Sequence, residues 1–312
     1  MPAAGIRGIV DPEVVQVQNL AELSDALAGI VEQAGHAVVR VEARRRWPAS
    51  GVVWSDGLIV TAAHVVERDD EIQIGIAGEQ TADAKVVGRD PTTDVAVLRS
   101  DAVTGAKPPE WADPGAVKVG QLVLAISRPG RSARASLGII SAAGGSWRTP
   151  AGGEIERYLQ PDVERALGFS GSLLVDTSGR ALGVNTSRLM RRTPMTIPAP
   201  TLRRVVETLV KHGRIRRAYL GIGGYPIRLP ETITQQIGQR RGLIIISVEP
   251  GSPADRGGLF VGDIIVAVDQ TPVRHPGEVS ARLDEKSIGK PLAVRVVRVG
   301  KIIELTLTAG ER

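Results

Sequence analysis

The sequence predicts a mainly β chain in two domains: a larger one of antiparallel barrels or sandwiches, followed by a smaller α+β one. Three observations carry that expectation. At 312 residues the chain exceeds a usual single domain. Short β-branched runs recur at close intervals between Gly, Pro and Asp turns, which marks antiparallel strands rather than alternating strands and helices. An amphipathic segment ending on Gly213 separates a long stretch of this kind from a shorter one.

The first element is "NLAELSDALAGIVEQAG" (19–35), where Leu20, Leu23, Leu27, Ile30 and Val31 recur at helical spacing. Asn19 and Glu22 fit a capping box and Gly35 suits the exit. The period then becomes that of strands: "AVVRVEA" (37–43), "GVVW" (51–54) and "LIVTAA" (58–63), the last two joined by "SDG". Further runs follow at 71–76, 84–88, 94–100, 121–127, 136–142, 157–160, 172–176 and 181–187, and the turn-rich stretch 101–115 divides them into two groups. "TLRRVVETLVKHG" (201–213) places Leu202, Val205, Val206, Leu209 and Val210 on one helical face. From 214 to 312 the strands resume, with helices expected at 230–238 and 277–285.

Apolar residues make up 42% and charged residues 23%, ordinary for a soluble globular protein. Net charge is +5, with arginine clusters at 44–46, 191–192 and 214–217. Aromatics are scarce at 3% and do not interleave with the basic residues, so nucleic acid is not expected as a partner. The absence of cysteine excludes disulfides, thiolate zinc sites and cysteine nucleophiles. His, Asp and Glu show no metal-ligand spacing, and no metal or other cofactor is expected. The N-terminal stretch lacks the basic-then-apolar order of a signal peptide, and no apolar run approaches a membrane span, so the sequence as it stands reads as cytoplasmic.

Of the four histidines, His36, His212 and His275 have adequate structural explanations at a strand entrance, a last helical turn and a Pro/Gly loop. His64 instead follows the strand-like "LIVTAA", at the edge of an apolar core. Asp94 precedes the strand "VAVL", where a turn role is the simpler account, and Ser170 stands in "ALGFSGSLL" between Gly168 and Gly171. Together they give the order His, Asp, Ser. Acyl transfer needs a carboxylate to fix an imidazole, an imidazole to take a hydroxyl proton, and a serine among glycine amides.

The segments "TAAHVV", "DPTTDVAVLRS" and "GFSGSLLVDTSGRALGVNTS" resemble the three catalytic blocks of the HtrA/Deg family of trypsin-fold serine proteases, in the family's order and spacing. "AYLGIGG" (218–224), "VEPGSPADRGGLFVGDIIVAVD" (248–269) and "VRVVRVGKIIELTLT" (295–307 at its core) are similar to a bacterial PDZ domain. The resemblance implies an N-terminal extension and helix over 1–35. It implies a trypsin-like double β-barrel protease domain over 36–213, with barrels at 36–100 and 112–198 and a closing helix, and a PDZ domain over 214–312. It implies Ser170 as nucleophile, His64 as general base then acid, Asp94 as the orienting carboxylate, and the amides of Gly168 and Ser170 as the oxyanion hole. Substrate would lie along Asn185, Thr186 and Ser187, with 187–200 shaping the pocket. Tyr219, Leu220, Gly221 and Ile222 would present amides to a peptide's terminal carboxylate, with Val279 and Leu283 facing the groove.

The implied function is serine endopeptidase action on unfolded or misfolded polypeptides. The PDZ domain would bind C-terminal tails, and the assembly would be a homo-oligomer, a trimer by resemblance. Such proteases generally work in the periplasm or cell envelope, which a trimmed N-terminus would suit as well as the cytoplasmic reading. Phe169 and Ser172 stand where the family has Asn and Gly, and both can alter the resting shape of the nucleophile loop. The alternative is therefore a catalytically weak or inactive chain of the same fold, acting as a peptide-binding or chaperone module. An α/β-hydrolase is disfavoured because "GFSGS" does not complete Gly-x-Ser-x-Gly and the carboxylate precedes the serine.

Overall fold

The computed structural model describes residues 20–76, 80–190 and 193–311. The N-terminal extension before the first helix and the Arg191–Arg192 pair lie outside the described residues. Helix α1 (Leu20–Gly35) leads into strands β1 (Val38–Glu42), β2 (Ala49–Ser55), β3 (Leu58–Ala62), β4 (Ile72–Gly75), β5 (Thr81–Asp90) and β6 (Val95–Arg99). These close into an antiparallel barrel in the order β1-β2-β3-β6-β5-β4, which leaves no free sheet edge.

The second group comprises β7 (Leu122–Ser127), β8 (Arg134–Gly144), a small hairpin of β9 (Trp147–Arg148) and β10 (Glu154–Ile155), then β11 (Tyr158–Asp162), β12 (Leu173–Asp176), β13 (Ala181–Met190) and β14 (Thr193–Pro198). Six of these form a sheet in the order β11-β8-β7-β12-β13-β14, rolled so that its edge strands β11 and β14 come together without a hydrogen-bonded ladder. It is therefore barrel-like rather than closed. Helix α2 (Ala199–His212) then packs back on β5, β6, β13 and β14 and stops at Gly213, whose φ of 72° is the left-handed conformation that suits glycine.

Two apolar cores are filled by one set of strands. In the first barrel Val39, Val41, Val53, Ile59, Ala96 and Leu98 point into the barrel. Their neighbours Val38, Val52, Val60, Val95 and Val97 point the other way, into a core shared with Leu173, Val184 and Ile197 of the rolled sheet and Leu202, Val205 and Leu209 of α2. Alternate side chains go to opposite faces of a strand, and here both faces are buried, which is why the runs read as nearly continuous apolar stretches.

The C-terminal domain holds β15 (Ala218–Tyr219), β16 (Ile222–Arg228), α3 (Glu231–Ile237), β17 (Arg241–Val248), α4 (Pro253–Arg256), β18 (Ile264–Val268), β19 (Thr271–Pro272), α5 (Pro276–Ser280), β20 (Pro291–Arg298), β21 (Lys301–Thr308) and β22 (Gly310–Glu311). The main sheet runs β16-β17-β18-β20-β21, and β15 pairs with β22 to join the domain's two ends. The helix expected over 277–285 is shorter than its pattern suggested. Beyond Ser280 the chain tightens through Arg282 N–H to Val279 C=O and Leu283 N–H to Ser280 C=O, and the Asp284 side chain takes the Ser287 amide.

Asp263 is almost fully buried and accepts from Arg298 at 2.8 and 2.7 Å and from the Phe260 amide at 2.8 Å. Burial alone would push its carboxyl up, but these bonds and the Arg298 charge outweigh it and hold the carboxyl below its ordinary value. Its stabilising contribution is thus present above about pH 4 and lost as pH falls through the lowered folded-state value. Asp263→Asn is expected to lower the melting temperature at pH 7, with the gap to wild type closing at acid pH. Calorimetry across pH checks this.

Candidate active site

Strand pairing brings two of the sequence-predicted residues together. Ala62 at the end of β3 lies opposite Val95 at the start of β6, so His64, just past one strand, meets Asp94, just before the other. Asp94 is buried in a turn with φ 59°, a left-handed conformation that Asp tolerates better than most residues. Asp90 shapes that turn by accepting from the Thr92 amide at 3.0 Å and the Thr93 hydroxyl at 2.6 Å. Asp94 Oδ1 accepts the His64 backbone N–H at 2.9 Å, while Oδ2 faces His64 Nδ1 at 2.8 Å and accepts the Thr186 hydroxyl. The carboxylate thus selects the tautomer protonated at Nδ1 and leaves Nε2 as an acceptor.

Ser170 lies in a loop pinned on several sides. Phe169 N–H donates to Ala166 C=O at 3.1 Å, Gly171 N–H to Asn185 C=O at 2.8 Å, and Ser172 N–H to Phe169 C=O at 3.0 Å. From the first barrel, Ser50 N–H donates to Ser170 C=O at 3.2 Å and the Ser50 hydroxyl to Gly168 C=O at 2.8 Å. That hydroxyl accepts in turn from the Arg128 amide at 2.9 Å. Gly168 has φ 82°, which a side chain would resist. Among the described residues, the amides of Gly168 and Ser170 donate to no group of the chain. Both are thus unspent within the chain.

The Ser170 hydroxyl contacts the Ser187 hydroxyl at 3.1 Å, and among the described residues it makes no hydrogen bond to His64. His64, Ser170 and Ser187 nevertheless line one cleft of about 430 Å³. The Ser–His bond itself is not formed in this arrangement, where the Ser170 hydroxyl is engaged with Ser187.

Both unusual loop residues have partners. Phe169 is buried in an apolar cluster with Ile140, Leu159, Val163, Leu174 and Leu182. The Ser172 hydroxyl accepts from Asn185 Nδ2 at 3.0 Å, and Asn185 Oδ1 accepts the Thr196 hydroxyl at 2.8 Å. Phe169→Ala is expected to cost about 3–5 kcal/mol, as for other buried aromatic truncations, and to loosen the nucleophile loop. Urea unfolding reads the first effect and the rate of Ser170 labelling the second.

The expectation for the substrate strand needs correction. Asn185 spends its N–H on Ser172 C=O and its C=O on Gly171 N–H, so its backbone supports the nucleophile loop and is closed to a substrate. Thr186 is fully buried and commits its hydroxyl to Asp94. Of the three, Ser187 alone reaches the cleft, where β13 leaves its ladder with β14 until Met190. Ser50, Ser172 and Thr186 carry positioning contacts that no spacing announced, because their partners lie far away in the chain.

In the C-terminal domain Tyr219, Leu220, Gly221 and Ile222 line a groove of about 540 Å³ together with Val279 and Leu283. Gly221 has φ 78°, and a Cβ there would lie 2.3 Å from that of Ser252. Among the described residues, the amides of Leu220 and Gly221 donate to no group of the chain.

A closed barrel and a rolled sheet with a His–Asp pair and a serine in one cleft, followed by a small grooved β domain, define a trypsin-like peptidase fold with a second module behind it. Residues 49–184 match the trypsin-like peptidase domain family and residues 244–298 the PDZ domain family. Serine endoprotease DegS of Escherichia coli (strain K12) is 32% identical over 273 residues, which cover 84% of this chain and 76% of that protein. A probable periplasmic serine endoprotease DegP-like of Rhizobium meliloti (strain 1021) is 30% identical over 280 residues, 87% of this chain and 55% of that protein. The chain thus spans about half the length of the DegP-like relatives it matches. Among solved structures, the serine endoprotease from Yersinia pestis aligns with TM-score 0.69 and 30% identity, covering 91% of this chain and 97% of that one. The HtrA-type protease AlgW with decapeptide aligns with TM-score 0.69 and 25% identity, covering 91% and 98%. The chain belongs to the HtrA/Deg family.

Proposed function

We propose that this chain is a serine endopeptidase acting on unfolded or misfolded polypeptides, with a PDZ domain that binds peptide tails. The observation that carries the reading is the His64–Asp94 pair beside a serine whose neighbouring amides are unspent. Ser170 Oγ attacks the scissile carbonyl carbon as its proton passes to His64 Nε2. Asp94 steadies the resulting imidazolium, and the amides of Gly168 and Ser170 hold the oxyanion. Collapse of the tetrahedral intermediate breaks the C–N bond, and His64 returns the proton to the departing amine. Water then gives its proton to His64 and attacks the acyl-enzyme, which releases the acid and restores Ser170.

A weakly active or binding-only form is the second reading, and the Ser170–Ser187 contact is the one observation in its favour. The relatives named serine endoproteases and a nucleophile loop braced by Phe169, Ser172 and Ser50 favour the peptidase. The PDZ groove, with free amides at one end and apolar side chains along it, suits a terminal carboxylate and the apolar residues before it. A homotrimer is the assembly we propose, read by analytical ultracentrifugation. The relatives named periplasmic support the periplasm or cell envelope as the compartment, read by fractionation.

The test is labelling of Ser170 by a fluorophosphonate, with casein cleavage measured with and without peptides bearing apolar C-termini, and Ser170→Ala as control. Labelling and cleavage that both vanish in the control support the peptidase. A folded wild type that neither labels nor cuts under any of these conditions overturns it.

A further inference from the structure

The cleft around Ser170 carries positive charge with no internal counterpart. Its walls are Arg44 and Trp47 from the β1–β2 turn, Arg165 and Leu167 from the nucleophile loop, and Ser187 from β13. No acidic side chain lines it, and Asp94 is buried and committed to His64 and Thr186. Arg44 Nε donates to the Trp47 carbonyl at 2.5 Å, which fixes the turn and leaves the two Nη groups of the guanidinium for other acceptors. The same turn continues through Arg45 and Arg46, both exposed. Among the described residues none of Arg44, Arg45, Arg46 and Arg165 is in an ion pair, whereas Arg89, Arg204 and Arg298 each hold a carboxylate. Trp47 is 60% exposed beside them, a flat apolar surface at the mouth of the cleft.

This arrangement divides the cleft by function. Ser187 lies on a strand of the rolled sheet that would carry the acyl side of a substrate, which leaves the wall supplied by the closed barrel, the Arg44–Trp47 turn, for the part that departs with the amine. Charged guanidinium groups there are complementary to a carboxylate and repel a lysine or arginine. We propose that Arg44 and Arg165 select polypeptides with an Asp or Glu close to the scissile bond on its C-terminal side, packed against Trp47. The proposal rests on Ser170 as the nucleophile.

Three internally quenched peptides, identical except for Glu, Gln or Lys just after the cleaved bond, test it. The Glu peptide is expected to exceed the Lys peptide in kcat/KM by about tenfold at low salt, with the ratio shrinking as salt rises. Arg165→Glu, and Arg44→Glu with Arg165→Glu, should reduce or invert the ratio. The single variant spares the turn bond to Trp47 should the double variant fold poorly. Equal kcat/KM for the three peptides on wild type, or a ratio unmoved in folded Arg165→Glu, overturns the proposal while leaving the peptidase reading intact. If no peptide is cut, anisotropy of the same peptides on Ser170→Ala decides. Tighter Glu binding keeps the charge preference as the peptidase reading falls, and equal binding overturns the preference too.

Discussion

Replacing Asp94 with Asn is expected to lower kcat by about 10⁴-fold at neutral pH while the protein stays folded. Every group facing the Asp94 oxygens is a donor: the His64 N–H at Oδ1, and the His64 ring and Thr186 hydroxyl at Oδ2. An Asn side chain must turn its NH₂ toward one of these positions. Turned toward the ring, it forces Nδ1 to accept, which moves the imidazole proton to Nε2 and removes the base from Ser170. Turned the other way, it sets two N–H groups against each other at Oδ1. The backbone does not object, because Asn tolerates the left-handed conformation at φ 59° as Asp does. Peptide turnover together with an unchanged melting curve checks this. Activity within tenfold of wild type would remove Asp94 from the mechanism.

Gly171→Ala is expected to destabilise the protein by at least about 3 kcal/mol and to abolish fluorophosphonate labelling of Ser170. The residue has φ 86°, and an added Cβ would lie 1.8 Å from the Ser50 carbonyl oxygen. That oxygen belongs to barrel backbone and accepts the Thr61 hydroxyl at 2.7 Å, so it cannot step aside as a flexible side chain would. The loop must lift instead, breaking Ser50 N–H to Ser170 C=O and Gly171 N–H to Asn185 C=O. At roughly 2–4 °C per kcal/mol, the melting temperature should fall by several degrees or more. Gly29→Ala is the control: it lies in α1 with nothing within 4 Å of the added Cβ, and the exchange should be neutral or stabilising. Labelling of Gly171→Ala at the wild-type rate would show that the loop does not depend on the Ser50 strand.

The fold was legible where sequence period and burial agree. Strands β1, β2, β3 and β6 read plainly because both of their faces are apolar, and α2 because one face is. The expected strand runs stop at Ser187 and the resemblance gives 187–200 only as a pocket segment, yet β14 forms there, its Pro194 and Pro198 tolerated because it lies at a sheet edge, where a missing donor costs little. The helix over 277–285 was overdrawn because Gly277 and Asp284 weaken a helix that side-chain period alone would extend. Within the candidate site, His64 and Asp94 were legible through the His, Asp, Ser order and the resemblance of their segments, while the β3–β6 ladder that brings them together comes from the structure. The Ser170–Ser187 contact and the bracing by Ser50 could not. They depend on rotamers and on loops meeting across 17 and 118 positions, which no local pattern encodes.

The two halves of the protease domain look like separable barrels, yet they do not own separate interiors. Val38, Val52, Val60, Val95 and Val97 are roofed by the other half and by α2. Cut free at the 101–115 connection, the first half would present a valine sheet to water, and the second would lose the floor under Leu173, Val184 and Ile197. Neither could then hold its shape alone. Chemical unfolding of the protease domain should accordingly be one transition rather than two, and the fragments should recover structure only when mixed. The chain behaves as a lock whose halves exist only when closed, with the Ser170 cleft along the seam.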